Sequence, residues 1–292
     1  MTFKSEERPM VSTEARPWLF LGMTLGLTWA VDILAVAFGR SIPGWMVTAL
    51  HYSGGVVPLA VAVVLAYRKH DRRFQRDFWK RILDFRRIGL GWYAVIFLYA
   101  PIKSGLAGLM DALLGGQGIA PEAVSGFGEQ PLLIVPMLLF WLVFGPVPEE
   151  PGWRGYALDG LQARYSALVA SFLLGVAWAL WHVPLFFIEG TWQADQVGLG
   201  TQRFWFYLIT IVAEAVLYTW IYNNTNRSTL SAILFHFVGN AFGELFALSA
   251  QAEVYNFALN LVAVVVVLLI WGPRTLTRRK KAAESAHPDN PA

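Results

Sequence analysis

Eight stretches of the chain carry apolar residues almost without interruption over roughly the length needed to cross a bilayer: 17–38, 45–67, 88–113, 131–147, 167–188, 204–222, 230–249 and 256–272. A helix spans a hydrocarbon layer of about 30 Å with about 20 predominantly apolar residues, and inside that layer it satisfies its backbone hydrogen bonds within itself. The pattern predicts an all-α, polytopic integral membrane protein with about eight transmembrane helices in one bundle over 17–272. Composition agrees, because only 15% of the residues are charged, against about a quarter in soluble domains. Eight spans and their short loops use up most of the 292 residues, so no soluble domain is expected.

Lysine and arginine orient the bundle, since short loops rich in them stay in the cytoplasm. Segment 1–16 holds Lys4, Arg8 and Arg16, and the loop after the second run holds nine basic residues from Arg68 to Arg87. Arg154 and Arg164 follow the fourth run, Arg227 the sixth, and Arg274, Arg278, Arg279, Lys280 and Lys281 the eighth. On this reading 20 of the 23 basic residues share one side, with Arg40 and Arg203 opposite among the acids Glu122, Glu129, Glu189, Asp195 and Glu253. Both termini are therefore expected on the cytoplasmic side of a bacterial or archaeal cytoplasmic membrane. The first run is too long for a signal-peptide core and contains Asp32, so it is expected to stay as an anchor. Residues 273–292 read as a basic stretch followed by a disordered tail.

Between 68 and 87, Phe74, Phe78, Ile82 and Phe85 recur at helical spacing among basic residues, as expected of an anchoring helix in the membrane interface. The chain has no cysteine, which excludes disulfides, thiolate metal sites and a cysteine nucleophile. No phosphate-binding or nucleic-acid motif is present, so the expected surroundings are the lipid bilayer and a membrane-associated substrate.

Three polar elements stand out, because charged side chains are costly inside a bilayer and invite a functional reading. In Gly145-Pro146-Val147-Pro148-Glu149-Glu150-Pro151-Gly152-Trp153-Arg154, prolines stop the incoming helix and Pro151 suits the first turn of a new one. Glu149 and Glu150 then sit at a helix N-terminus, with Arg154 one turn beyond Glu150. Read alone, this is a capped interfacial helix with an ion pair. The second element is His182, in the aromatic fifth run behind Trp178 and Trp181; the third is His236 and Asn240, four apart on one helical face. Together they bring two acids, two histidines and an amide from three runs.

That set permits peptide hydrolysis by activated water. A carboxylate paired with a histidine can take a proton from water and pass it to the leaving amine. A neutral imidazole N–H and an amide N–H can stabilise the oxyanion. No cofactor is then needed. A zinc alternative uses Glu149, His182 and His236 with one position open for water, although Asn240 suits hydrogen-bond donation better.

On these residues the chain resembles the CPBP intramembrane proteases, which include the type II CAAX prenyl endopeptidases and the Abi-type immunity proteins. Glu149-Glu150 with Arg154 resembles that family's E-E-x-x-x-R, Trp178 to His182 its F-x-x-x-H, and His236 to Asn240 its H-x-x-x-N. The resemblance covers about 131–245 and implies an intramembrane endopeptidase acting on membrane-associated or lipidated proteins or peptides. It implies that Glu149 and His182 activate the water, that His236 and Asn240 form the oxyanion site, and that Glu150 and Arg154 support them. Trp178 departs from the family's phenylalanine and is expected to alter packing more than chemistry. Two other readings remain: an ion- or proton-coupled transporter using Asp32, Lys103, Asp111 and Glu214, or a catalytically idle immunity or scaffold relative.

The expected spans conflict with this chemistry on one point. A fifth helix starting near 167 carries His182 more than about 20 Å deep, while Glu149 stays near the surface. Either the fourth helix continues past its prolines, or the fifth starts nearer 173 and breaks around Pro184.

Overall fold

In a computed structural model, residues 15–69, 71–119, 131–245 and 247–278 are described, and they are helical almost throughout. Helices α1 (Pro17–Phe38) and α2 (Gly44–Lys69) form an antiparallel pair. A shorter α3 (Arg72–Leu83) leads into α4 (Leu90–Leu113). Then come α5 (Ile134–Phe144), α6 (Pro146–Gly152), a π-helical turn over Trp153–Ala157 and α7 (Leu158–Gln162). Helices α8 (Ala167–His182), α9 (Gln202–Asn224), α10 (Thr229–Leu245) and α11 (Ala250–Trp271) complete the bundle.

Among the described residues six helices are long and apolar enough to cross a membrane: α1, α2, α4, α8 with its 3₁₀ extension to Phe187, α9 and α11. The two other expected spans exist as shorter pieces. The seventh is α10, with 17 residues; the fourth is a broken rod running from α5 to α7. Its breaks follow from Gly145, Pro146, Pro148 and Pro151, since each proline removes a backbone donor and pushes against the preceding turn. Gly145 takes φ −117° and ψ −98°, and a Cβ there would lie 2.8 Å from the Trp141 carbonyl oxygen. Pro146 opens the new segment, so Pro151 falls inside it rather than in its first turn.

The broken rod is the middle of the molecule and not an interfacial helix. Residues 148–161 are all buried, walled by α1, α2 and α10. Gly152 makes this possible, because a Cβ there would lie 2.7 Å from the Pro58 carbonyl oxygen of α2. Arg154, expected among the cytoplasmic loop residues, is completely buried. It faces a carboxylate and two aromatic rings, which replace water around the cation.

Helix α3 forms where its spacing predicts, with Asp71 capping it by accepting from the Phe74 amide. Its stripe packs inward, however: Phe78 is fully buried, Phe74 and Ile82 lie against the core, and only Phe85 stays outside, 61% exposed. Arg81 is buried with them, 2.7 Å from both Asp159 of α7 and the Tyr222 hydroxyl of α9. Arg227, in the turn after α9, also donates to Asp159. Burial alone would lower the Arg227 guanidinium's pKa, but Tyr222 and Asp159 raise it above the ordinary arginine value. Arg87 closes the cluster, donating to Asp77 and to the Asn226 carbonyl at 2.9 Å each.

Three of the four residues behind the transporter reading have local structural partners. Lys103 lies 3.3 Å from Glu214 and 3.5 Å from Asn260. Asp111 accepts from the Gly118 amide and the Ser249 hydroxyl, tying α4 to the start of α11. Asp32 is buried against α2 beside Gly54. Lys4, Arg8, Glu122, Glu129, Arg279, Lys280, Lys281 and the tail expected to be disordered lie outside the described residues.

Candidate active site

The conflict of depth resolves through the broken rod. Glu149 lies 13 residues before the end of α7 and Trp178 lies 11 residues after the start of α8. At about 1.5 Å per residue both sit about 15–20 Å from the 163–166 turn that joins the two rods. Thus the fourth helix does continue past its prolines, while α8 begins at Ala167 and not near 173. The helix also changes to 3₁₀ geometry over Val183–Phe187, around Pro184.

Trp178 joins the first two motifs. Its indole N–H donates to Glu149 Oε2 at 2.8 Å, and its backbone carbonyl accepts from His182 Nδ1 at 2.9 Å. A carbonyl only accepts, so the His182 proton sits on Nδ1, and in the neutral ring Nε2 keeps its lone pair. The expectation was that tryptophan alters packing more than chemistry, and here it also supplies a hydrogen bond to the acid. An indole can donate a hydrogen bond to a carboxylate and a phenyl ring cannot.

Glu150 joins the first and third motifs. It accepts from Arg154 Nη1 at 2.9 and 3.0 Å and faces His236 Nδ1 at 2.9 Å. The Arg154 guanidinium is held between the Trp178 ring, 4.5 Å from its centroid, and the Tyr218 ring, at 4.1 Å, an arrangement that suits a desolvated cation. His236 itself packs against Trp178 at 5.4 Å and Tyr218 at 5.9 Å between centroids. With Nδ1–H given to Glu150, a neutral His236 has no second N–H to offer. Donation from Nε2 requires the imidazolium form, which differs from the neutral imidazole expected from sequence.

Exposure separates the two acids. Glu150 and Arg154 are 0% exposed, whereas Glu149, His182 and His236 keep 6%, 8% and 6%. The first pair is sealed, and the other three retain an opening that water can use. Asn240 is exposed; its Nδ2 would lie 3.2 Å from a Cβ on Gly145, so it reaches the break just before Glu149. The structure thus gathers Glu149, Glu150, Arg154, His182 and His236 around Trp178, with Asn240 at the rim.

A zinc site fits this arrangement poorly. Among the described residues no three His, Cys, Asp or Glu side chains are grouped so that they could hold a metal ion, and one Glu149 oxygen is already engaged by Trp178. Sequence reasoning missed Trp178 as a hydrogen-bonding partner and Tyr218 altogether. The position of Trp178 one turn before His182 was the available signal for the first. Nothing local marked Tyr218, which reaches the site through the packing of α9 on α8.

Comparison with known proteins gives the family. The model of a family described as type II CAAX prenyl endopeptidase Rce1-like matches residues 131–242, which contain every site residue named above. The chain is also 32% identical over 219 residues to the CAAX prenyl protease 2 of Methanococcus maripaludis, an alignment covering 74% of this chain and 79% of that protein.

Proposed function

The chain belongs to the Rce1-like family of type II CAAX prenyl endopeptidases, and from that premise we propose that it cuts peptide bonds with a water activated by Glu149 and His182. Its substrate class is a membrane-associated or lipidated protein or peptide, prenylated ones included. The observation that carries this reading is the pair of bonds made by Trp178. They hold the Glu149 carboxylate and fix His182 with its Nε2 lone pair free.

In this scheme the water hydrogen-bonds to Glu149 Oε1 and His182 Nε2. It adds to the scissile carbonyl carbon while Glu149 takes its proton. The oxyanion receives hydrogen bonds from Asn240 Nδ2 and from the imidazolium Nε2–H of His236, whose Nδ1–H is held by Glu150. Each such donor is worth about 3–4 kcal/mol in the transition state. Collapse of the intermediate breaks the C–N bond, and the proton held by Glu149 passes to the departing amine. Glu150 and Arg154 position the groups around them and touch no reacting atom.

The site lies at mid-depth, about 15–20 Å from the 163–166 turn, and the substrate enters it from the side that carries most basic residues. We place that side, and both termini, in the cytoplasm. The test uses purified protein in lipid vesicles and a prenylated peptide whose released fragment is weighed by mass spectrometry. His182→Ala is expected to cut the rate about 100-fold or more, and a chelator is expected to leave the wild type unaffected. Wild-type turnover in His182→Ala sinks the proposed water activation; loss of activity in chelator with recovery on adding zinc sinks the metal-free scheme.

A further inference from the structure

The same helix that was expected to anchor the protein by its apolar stripe uses that stripe against the bundle, and this leaves its opposite face to be explained. Arg72, Arg76 and Lys80 recur every fourth residue and are all exposed, on the side away from Phe74 and Phe78. They differ in this from Arg81 of α3 and Arg87 of the turn after it. Arg81 and Arg87 are neutralised by Asp77 or Asp159. Among the described residues Arg72, Arg76 and Lys80 have no carboxylate at ion-pair distance.

These three side chains line a groove of about 620 Å³ together with Arg86, Trp79 and Tyr67. Its lining includes one acid, Asp84, whose carboxylate accepts from the Arg86 backbone amide. The Trp79 indole donates to the Tyr67 hydroxyl at 3.1 Å, which fixes the aromatic wall. Beside the groove, Leu83, Phe85 and Leu90 are 71%, 61% and 88% exposed. The helix joins the end of α2 to the start of α4, both membrane-spanning, so the groove opens at the membrane surface.

We infer that this groove binds the phosphate headgroup of an anionic phospholipid, with Arg72, Arg76 and Lys80 around the phosphate and the acyl chains running past Leu83, Phe85 and Leu90. The unmatched positive charge attracts an anion. The exposed apolar side chains and the Tyr67–Trp79 pair, placed at headgroup level, favour a lipid over a soluble phosphate. An acidic peptide would satisfy the cations but leave the apolar rim in contact with acyl chains it did not recruit.

The experiment is native mass spectrometry of the full-length protein released from detergent, titrated with phosphatidylglycerol or with phosphatidylcholine. Wild type is expected to hold phosphatidylglycerol preferentially. Arg76→Gln should weaken that binding about fivefold, and the triple change Arg72→Gln, Arg76→Gln, Lys80→Gln about 100-fold, at roughly 1 kcal/mol per surface cation. Phosphatidylcholine binding and the melting temperature should not move, since these side chains are exposed and hold no buried partner. Arg76→Lys should retain the preference. Equal phosphatidylglycerol binding by wild type and the triple variant overturns the site. Displacement of the lipid by millimolar inorganic phosphate also overturns it, by making the groove a site for the soluble anion.

Discussion

A carboxylate that activates water needs one face held and the other open, and Glu149 meets both conditions where its neighbour Glu150 does not. Trp178 grips one Glu149 oxygen, while Glu150 spends its oxygens on Arg154 and His236 and is sealed from solvent. The grip is testable with the family's own residue. Trp178→Phe keeps the ring that stacks on Arg154 and removes the N–H. A hydrogen bond to a charged group is worth about 1.5–3 kcal/mol, so kcat for peptide cleavage should fall at least about tenfold with KM nearly unchanged, while the melting temperature falls for the lost bond and the space the indole leaves. An unchanged kcat contradicts the assigned role. Adjacent glutamates and an arginine were legible as a charge cluster, but which acid is sealed depends on His236, 86 residues away from Glu150, and no local spacing reveals that.

At the scale of elements, the rod from α5 to α7 does what an unbroken helix could not. Its prolines and Gly145 turn Glu149 and Glu150 into the bundle at mid-depth, and the π-helical turn over Trp153–Ala157 keeps the chain helical beyond them. Close contact with α2 rests on Gly152. A methyl group there meets the Pro58 carbonyl oxygen at 2.7 Å and the Phe20 ring at 2.9 Å. Gly152→Ala should therefore lower stability by about 1–3 kcal/mol, read as a lower melting temperature in detergent; an unchanged melt contradicts the packing described. The long helices were legible because their apolar runs are uninterrupted. The rod was not, because hydropathy marks where a segment is apolar and is silent about whether its polar continuation leaves the membrane or stays buried. Arg154 shows the difference: it reads as a loop residue and is enclosed by Glu150, Trp178 and Tyr218. The stripe of α3 was legible as a helix but not as a face docked on protein, which depends on Asp159 and Tyr222 receiving Arg81.

For the whole molecule, the helices frame the buried polar centre around Trp178, and the basic residues gather at the end where α3, α7 and the turn after α9 meet around Asp159. A chain free of cysteine makes the proposed orientation easy to measure. Arg164→Cys, in the exposed turn between α7 and α8, should react with a membrane-impermeant thiol reagent only from the cytoplasmic side, and Arg40→Cys only from the opposite side; the reverse pattern inverts the topology. The claim that unites the site is that Glu149 takes the proton from the attacking water. Its most direct measurement is kcat/KM of Glu149→Gln on a prenylated peptide in vesicles, with the melting temperature recorded beside it. Glutamine still accepts from Trp178 but is no base, so the account predicts a loss of about 100-fold or more at an unchanged melting temperature; turnover within a few-fold of wild type would contradict it.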